Sequence, residues 1–261
     1  MKILCMCSKC IFESVETGIF DGLERKYINE VNDEGIYFVE CDKGHKAYNI
    51  VDNEKFEILF DMGLEALNKG FRQESVLCFT TSFERFREWV IRVILTKNNV
   101  EKDDFDKVWS YVSKQSERQL GAFYFLYLQE FGDQPEMISQ GVSEFRNEVI
   151  HKGVIPNYEK TYNYGKYIYE YINKVLKKLE DDCYSEAKSK IKFDREHALR
   201  KKYNIKNKDA GKQNIVNGIC STVKRSEEYE TFEEALKRIK ERDMIMEVFM
   251  RESERVNRKI E

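Results

Sequence analysis

From Glu54 onward, apolar residues return at steps of three and four, at Phe56, Leu59, Phe60, Leu64 and Leu67. That period predicts an amphipathic helix ending at Gly70. It resumes through Val76, Phe79, Phe83, Phe86, Val90, Val93 and Ile94, so residues 72–97 form a second helix, and the Lys69-Gly70 corner joins the two as an antiparallel hairpin. Further helices fit residues 104–131 and 135–152, the latter entered through Pro135 in its first turn and stopped by Gly153 and Pro156. Tyr162, Tyr164, Tyr167, Ile168, Tyr171, Ile172, Val175 and Leu179 mark one more long helix, with room to run on toward Arg200. Thr231 followed by Glu234 has the spacing of a capping box and opens a last helix carrying Leu236, Ile239, Met246, Val248 and Phe249.

The first fifty residues read differently. Gly18, Gly22, Gly35 and Gly44 punctuate short runs, and Gly35-Ile36-Tyr37-Phe38-Val39-Glu40-Cys41 has strand character. Two or three short strands are expected there. The chain is therefore mainly α, with a small β-rich module ahead of a helical domain.

Composition narrows the function classes. A chain of 261 residues can bury at least one full core. Its 44 basic and 47 acidic residues nearly cancel to a net charge of −3, so there is no global attraction to nucleic acid, and any RNA contact must come from a local patch. The clearest imbalance lies between residues 186 and 212, with ten Lys or Arg against four Asp or Glu. There is no apolar run of the roughly eighteen residues that a membrane helix needs, and no signal-peptide order, so a cytoplasmic protein with no membrane partner is expected.

Four of the seven cysteines fall in the first 41 residues, a layout better suited to metal than to secreted disulfides. Cys7-Ser8-Lys9-Cys10 lets two thiolates of one turn reach a single ion, and Cys41-Asp42-Lys43-Gly44-His45 offers a second pair. Zinc suits this soft tetrahedral set. Four filled positions leave none for water, so the ion would staple the fold rather than catalyse. Cys5 competes for the first ligand position, and a metal-free thiol cluster is the alternative. The module resembles zinc ribbons and knuckles, which commonly hold nucleic acid or protein partners.

The remaining chemistry centres on Phe145-Arg146-Asn147-Glu148-Val149-Ile150-His151-Lys152-Gly153. An Arg five positions before a His arises by chance roughly 0.2 times in a chain of this composition, so the spacing alone says little. Five positions are about 500° of helix, which leaves the two residues about 140° apart. A helix end at Gly153 allows the chain to deviate there, and its carbonyl dipole favours imidazolium at His151.

With Asn directly after Arg, at a helix end within an antiparallel helical domain, this stretch resembles the HEPN superfamily of RNA-cutting toxins and anti-phage defence nucleases. The resemblance covers residues 54–182 and is specific over eight or nine of them. It implies metal-independent cleavage of single-stranded RNA, with the ribose 2′-hydroxyl as nucleophile and a 2′,3′-cyclic phosphate as product. His151 would act as general base or acid, Arg146 would stabilise the transition-state charge, and Asn147 would position the phosphate or hold His151. It also implies a homodimer whose two motifs meet in one composite cleft, and an antitoxin or defence-system partner. Nucleotide-transferase-regulated toxins of the family carry a Tyr two residues beyond the His, where this chain has Gly153.

Three domains follow: a zinc-ribbon-like module over 1–52, a HEPN-like helical bundle over 53–182, and a charged helical extension over 183–261. Glu84, Arg85, Arg87 and Glu88 are candidate supporting groups for the motif, although ion pairing on an exposed helix face explains them more simply. The competing reading is a catalytically inactive HEPN-like adaptor that binds nucleic acid or protein. A zinc-finger DNA-binding regulator is a third, and no recognition helix supports it.

Overall fold

A computed structural model describes residues 1–18, 27–206, 209–216, 218–220 and 230–257, and within these the side chains up to residue 250. In chain order the elements are β1 (Lys2–Cys5), α1 (Ser8–Thr17), β2 (Tyr27–Glu30), β3 (Ile36–Glu40), β4 (Lys46–Val51), α2 (Lys55–Asn68), α3 (Arg72–Lys97) and α4 (Lys102–Val112). They continue with α5 (Ser116–Phe131), α6 (Gln140–Lys152), α7 (Tyr158–Lys178), α8 (Asp182–Lys202), β5 (Ala210–Gln213) and α9 (Phe232–Asn257). Helix dominates, as the pattern predicts. Among the described residues no helix is long and apolar enough to cross a membrane.

The chain divides into two compact units, one built from residues 1–53, 192–215 and 240–261, the other from 54–191 and 216–239. The segment expected as a separate extension over 183–261 is thus shared between them. Gly22 and residues 207 and 208 of the basic segment lie outside the described residues.

The larger unit is organised around α3, which packs against α2, α4, α5, α6 and α7. Phe79, Phe86, Val90, Val93 and Ile94 of α3 are fully buried together with Phe56, Phe60 and Leu64 of α2 and Ile168, Ile172 and Leu176 of α7. Ser75 and Ser82 of α3 donate to the carbonyls of Gly63 and Phe56 at 2.9 and 2.7 Å, so the buried hydroxyls tie the hairpin as well as fitting it. Close approach has a specific cause. A Cβ on Gly63 of α2 would lie 2.6 Å from the Phe79 ring, and one on Gly165 of α7 would lie 2.5 Å from that ring and 2.9 Å from Phe232. The two glycines therefore let one aromatic ring fill the space between three helices.

Two expected helices are each two. Residues 104–131 break at 113–115, where Gln119 donates to the carbonyl of Ser113 at 2.7 Å and Arg118 to that of Tyr111 at 3.3 Å. The long tyrosine-rich helix ends at Lys178 rather than running on, and Lys188 of α8 caps the Leu179 carbonyl at 2.8 Å. Polar side chains reach open carbonyls at both breaks, which contain no glycine or proline, so neither carries a turn signature in the sequence. Helix α6 begins at Gln140, not Pro135, because Ser139 supplies the N-cap and accepts from the amide of Val142. The Thr231–Glu234 capping box is present, with Thr231 N–H donating to Glu234 Oε2 at 2.7 Å and Glu234 N–H to Thr231 Oγ1 at 3.2 Å.

The smaller unit holds two sheets. Strands β1 and β2 pair antiparallel, and β3, β4 and β5 form a second sheet in which β3–β4 is an antiparallel hairpin and β5 lies parallel to β4. Residues 1–52, read from the sequence as a small β-rich module, also contain α1, and the unit takes β5 from residues 210–213. Ile36, Ile50, Ile205 and Ala210 form one buried apolar cluster of this unit, and Ile3, Tyr37, Val39, Ala47 and Val51 are buried in it as well. Lys192 and Arg195 of α8 bind the carboxylate and carbonyl of Asp52 at 2.9 and 3.1 Å, which fixes the end of β4 within this unit.

The packing at Phe79 makes a quantitative prediction. Gly165→Ala should lower the unfolding free energy by about 1–3 kcal/mol, although Ala is the better helix former by about 1 kcal/mol. Urea unfolding checks it, and unchanged stability would show that the rings yield freely.

Candidate functional site

Helix α6 ends where the sequence places its end. Gly153 adopts φ +70°, and its N–H and that of Val154 both donate to the Glu148 carbonyl. Gln73, at the start of α3, donates to the carbonyls of Gly153 and Val154 at 3.2 Å each, so the chain leaving α6 is pinned to the bundle. Only Val149 of α6 is fully buried. The helix lies on the bundle as a shallow cover.

Under it is a cavity of about 220 Å³ whose lining includes Arg146 and Asn147 of α6, Thr80, Phe83, Glu84 and Arg87 of α3, and Tyr164 of α7. Arg146 is half-buried there. Its Nη2 lies 3.2 Å from Glu84 Oε1, and its Nη1 donates to Asn147 Oδ1 at 2.9 Å. Asn147 thus holds the arginine rather than the histidine. Thr80 gives its proton to the Val76 carbonyl at 2.7 Å, so Tyr164, 2.8 Å away, is the donor in the Thr80–Tyr164 pair. Burial pushes the Tyr164 hydroxyl up to about 12, against the nearby Arg146 and Arg87 guanidiniums, which pull it down.

His151 is elsewhere. It is exposed in the last turn of α6, does not line this cavity, and has no hydrogen-bond or ion-pair partner among the described residues. Because the helix stays regular through Lys152, the expected deviation that would swing His151 toward Arg146 does not occur. Within one chain the structure does not bring the two together.

Arg87 corrects the reading of residues 84–88 as exposed ion pairs. Arg85 and Glu88 do pair with each other. Arg87, however, is 5% exposed and stacks its guanidinium over the Phe83 ring at 4.7 Å, and Glu84 turns to Arg146. Burial holds the Arg87 pKa below the usual guanidinium range, against the opposing pull of Glu84. The sequence did carry a signal. Phe79, Phe83, Arg87, Val90 and Ile94 are spaced by four, four, three and four, so the arginine stands inside the apolar stripe of its helix.

In the smaller unit, ligand atoms of Cys7, Cys10, Cys41 and His45 all lie within 4.8 Å of one another and could hold a metal ion. Cys7 is the N-cap of α1 and Cys10 stands in its first turn, where the helix dipole favours thiolates. Cys41 and His45 flank the turn of the β3–β4 hairpin. Gly44 there takes φ +75°, and its N–H donates to the Cys41 carbonyl at 2.7 Å. A tetrahedron with bonds of about 2.3 Å to sulfur and about 2.1 Å to nitrogen has edges of about 3.6–3.8 Å. Cys10 Sγ to Cys41 Sγ is 3.7 Å, Cys10 Sγ to His45 Nδ1 is 3.4 Å, and Cys7 Sγ to His45 Nδ1 is 4.0 Å. The donor set and its spacing therefore fit zinc.

Burial and the neighbouring Cys7 and Cys41 sulfurs push the Cys10 thiol up to about 12. Burial acts the same way on Cys41, but hydrogen bonds from the backbone N–H groups of His45 and Lys43, and from Cys10, hold it below the ordinary thiol value. Glu13 of α1, absent from the sequence reading, accepts from His45 Nε2 at 3.2 Å and so leaves Nδ1 free to ligate. Cys5 lies outside the group, on β1, where burial raises its pKa to about 11.

Intramolecular pairs take up much of the basic segment: Lys190 with Glu101, Lys192 with Asp52, Arg200 and Lys212 with Glu196, and Lys202 with Glu34. His197 is exposed and stacks on Phe193. No protein-family model, curated protein or solved structure matches the chain.

Proposed function

We propose that this protein is a metal-independent RNA endonuclease of the HEPN type, of the kind used in anti-phage defence and as toxins, with one composite cleft built by two copies of the chain. The observation that carries the reading is the division of labour on α6, where Arg146 faces a cavity and His151, five residues on, stands exposed and unpartnered. Strand cleavage needs both a base and an acid. The 2′-oxygen bonds to phosphorus as it loses its proton, the bond from phosphorus to the 5′-oxygen breaks, and that oxygen takes up a proton. One chain supplies one motif histidine; two copies supply both roles, with Arg146 offsetting the charge that builds on the phosphoryl oxygens. Val154, Ile155 and Tyr158, exposed just after His151, offer an apolar surface for the second copy.

The Arg146–Glu84 ion pair favours a second reading, in which Arg146 only ties α6 to α3 and the dimer is an inactive nucleic-acid or protein adaptor. Full-length protein incubated with tRNA, rRNA and mRNA without added divalent metal separates the two. His151→Ala should slow cleavage by about 10²–10⁴-fold and Arg146→Ala by about 10²–10³-fold. RNA left equally intact by wild type and variants would leave the adaptor reading standing.

The Cys7, Cys10, Cys41 and His45 group is read as a structural zinc site. With four protein ligands, the ion would supply folding energy to this unit and leave no position for water. Purified protein should hold one zinc per chain, Cys10→Ser should lose it, and Glu13→Gln should weaken affinity by about 10–100-fold, measured by competition with a chromogenic chelator. Unaltered affinity in Glu13→Gln would remove that carboxylate from the site.

A further inference from the structure

Arg87 is the charged group that the proposed reaction leaves unused. Its Nε is shut off from water without a hydrogen-bond partner, and the guanidinium forms no hydrogen bond or ion pair among the described residues. It lies over the Phe83 face at 4.7 Å and in the field of Glu84, whose carboxylate is engaged by Arg146, with the hydroxyls of Tyr171, Tyr124 and Tyr164 also near enough to act on its charge. A guanidinium carries five donors and is not readily neutralised, so burial without an acceptor is costly and persists where an acceptor is to be bound. The space beside it is suited to a small one. About 220 Å³ is several times the ~30 Å³ share of a water molecule but below the ~300–1,000 Å³ of sites for drug-sized ligands.

The charges around the cavity define the ligand further. Arg87 and Arg146 approach from α3 and α6, so an acceptor that serves both needs oxygens on more than one side; tetrahedral phosphate has them, while a planar carboxylate matches one guanidinium fork. Tyr164 does not compete, because its proton goes to Thr80. Glu84, together with Glu117 at the exposed rim, balances the two arginines.

We infer that this cavity is a phosphate-binding site in which Arg87 holds the phosphate from beneath and Arg146 closes on it from α6, exchanging Glu84 for the anion. The site itself stands without the nuclease reading; only the identification of the phosphate as part of an RNA strand rests on it. Occupancy would also set Arg146 free of its internal carboxylate, so the same event that seats the phosphate readies the arginine.

Isothermal titration of the full-length protein with inorganic phosphate tests the proposal, with circular dichroism to confirm that each variant is folded. Wild type should bind saturably, Arg87→Met should bind at least about tenfold more weakly, and Glu84→Gln should bind more tightly because the competing carboxylate is gone. His151→Ala should keep phosphate binding whatever it does to RNA cleavage, which separates this site from the nuclease reading. A single-stranded oligodeoxynucleotide, which lacks the 2′-hydroxyl, provides the second arm: displacement of phosphate assigns the site to a strand, and no displacement assigns it to a free phosphate or mononucleotide. The proposal is overturned by absence of saturable phosphate binding in wild type or by undiminished binding in Arg87→Met. If Arg87→Met does not fold, Glu84→Gln decides alone, and unchanged affinity there overturns it.

Discussion

The larger unit depends on a helix that is buried on nearly every side yet carries ionic groups halfway along it. Phe79, Phe86, Val90 and Ile94 make α3 the centre of the bundle, and the serines and glycines around it let α2 and α7 come close. Glu84 and Arg87 occupy the same helix between those core positions. Charges in such a setting are costly unless satisfied, and replacing them by apolar residues commonly stabilises a fold. Their presence is therefore not explained by apolar packing alone, and it motivates the functional proposal. Helix α6 answers half of it, since Arg146 reaches down to Glu84. Arg87 is left facing a cavity.

The smaller unit follows a different logic. Its strands are short, and one of its apolar clusters joins Ile36 and Ile50 to Ile205 and Ala210 from far along the chain. The helix end at Cys7 and the hairpin turn at Gly44 bring four soft donors together, and Glu13 orients the histidine among them. A metal ion at that point would join the first helix to the hairpin and add its binding energy to folding.

Much of this was legible in the sequence because it was local. The three-and-four spacing of apolar residues gives α2 and α3 with their boundaries, Gly153 gives the end of α6, and the Thr231–Glu234 box gives the start of α9. The four metal-site donors were likewise readable from Cys-x-x-Cys and Cys-x₃-His spacing. What escaped was non-local or side-chain specific. Gln119 and Lys188 end helices by capping carbonyls several residues away, β5 joins β4 from more than 150 residues downstream, and nothing near α1 marks Glu13 as a partner of His45. Arg87 lies between these cases: its place in the apolar stripe was visible, but residues 84–88 also have the spacing of ordinary surface pairs, and only packing distinguishes the two.

The proposed chemistry of α6 predicts a specific product, because transesterification through the 2′-oxygen leaves different ends from metal-assisted hydrolysis by water. Mass spectrometry of RNA fragments released by the wild-type protein is the most direct measurement. Fragments ending in a 2′,3′-cyclic phosphate and beginning with a 5′-hydroxyl are the predicted result, and fragments beginning with a 5′-phosphate and ending in a 3′-hydroxyl would contradict the account.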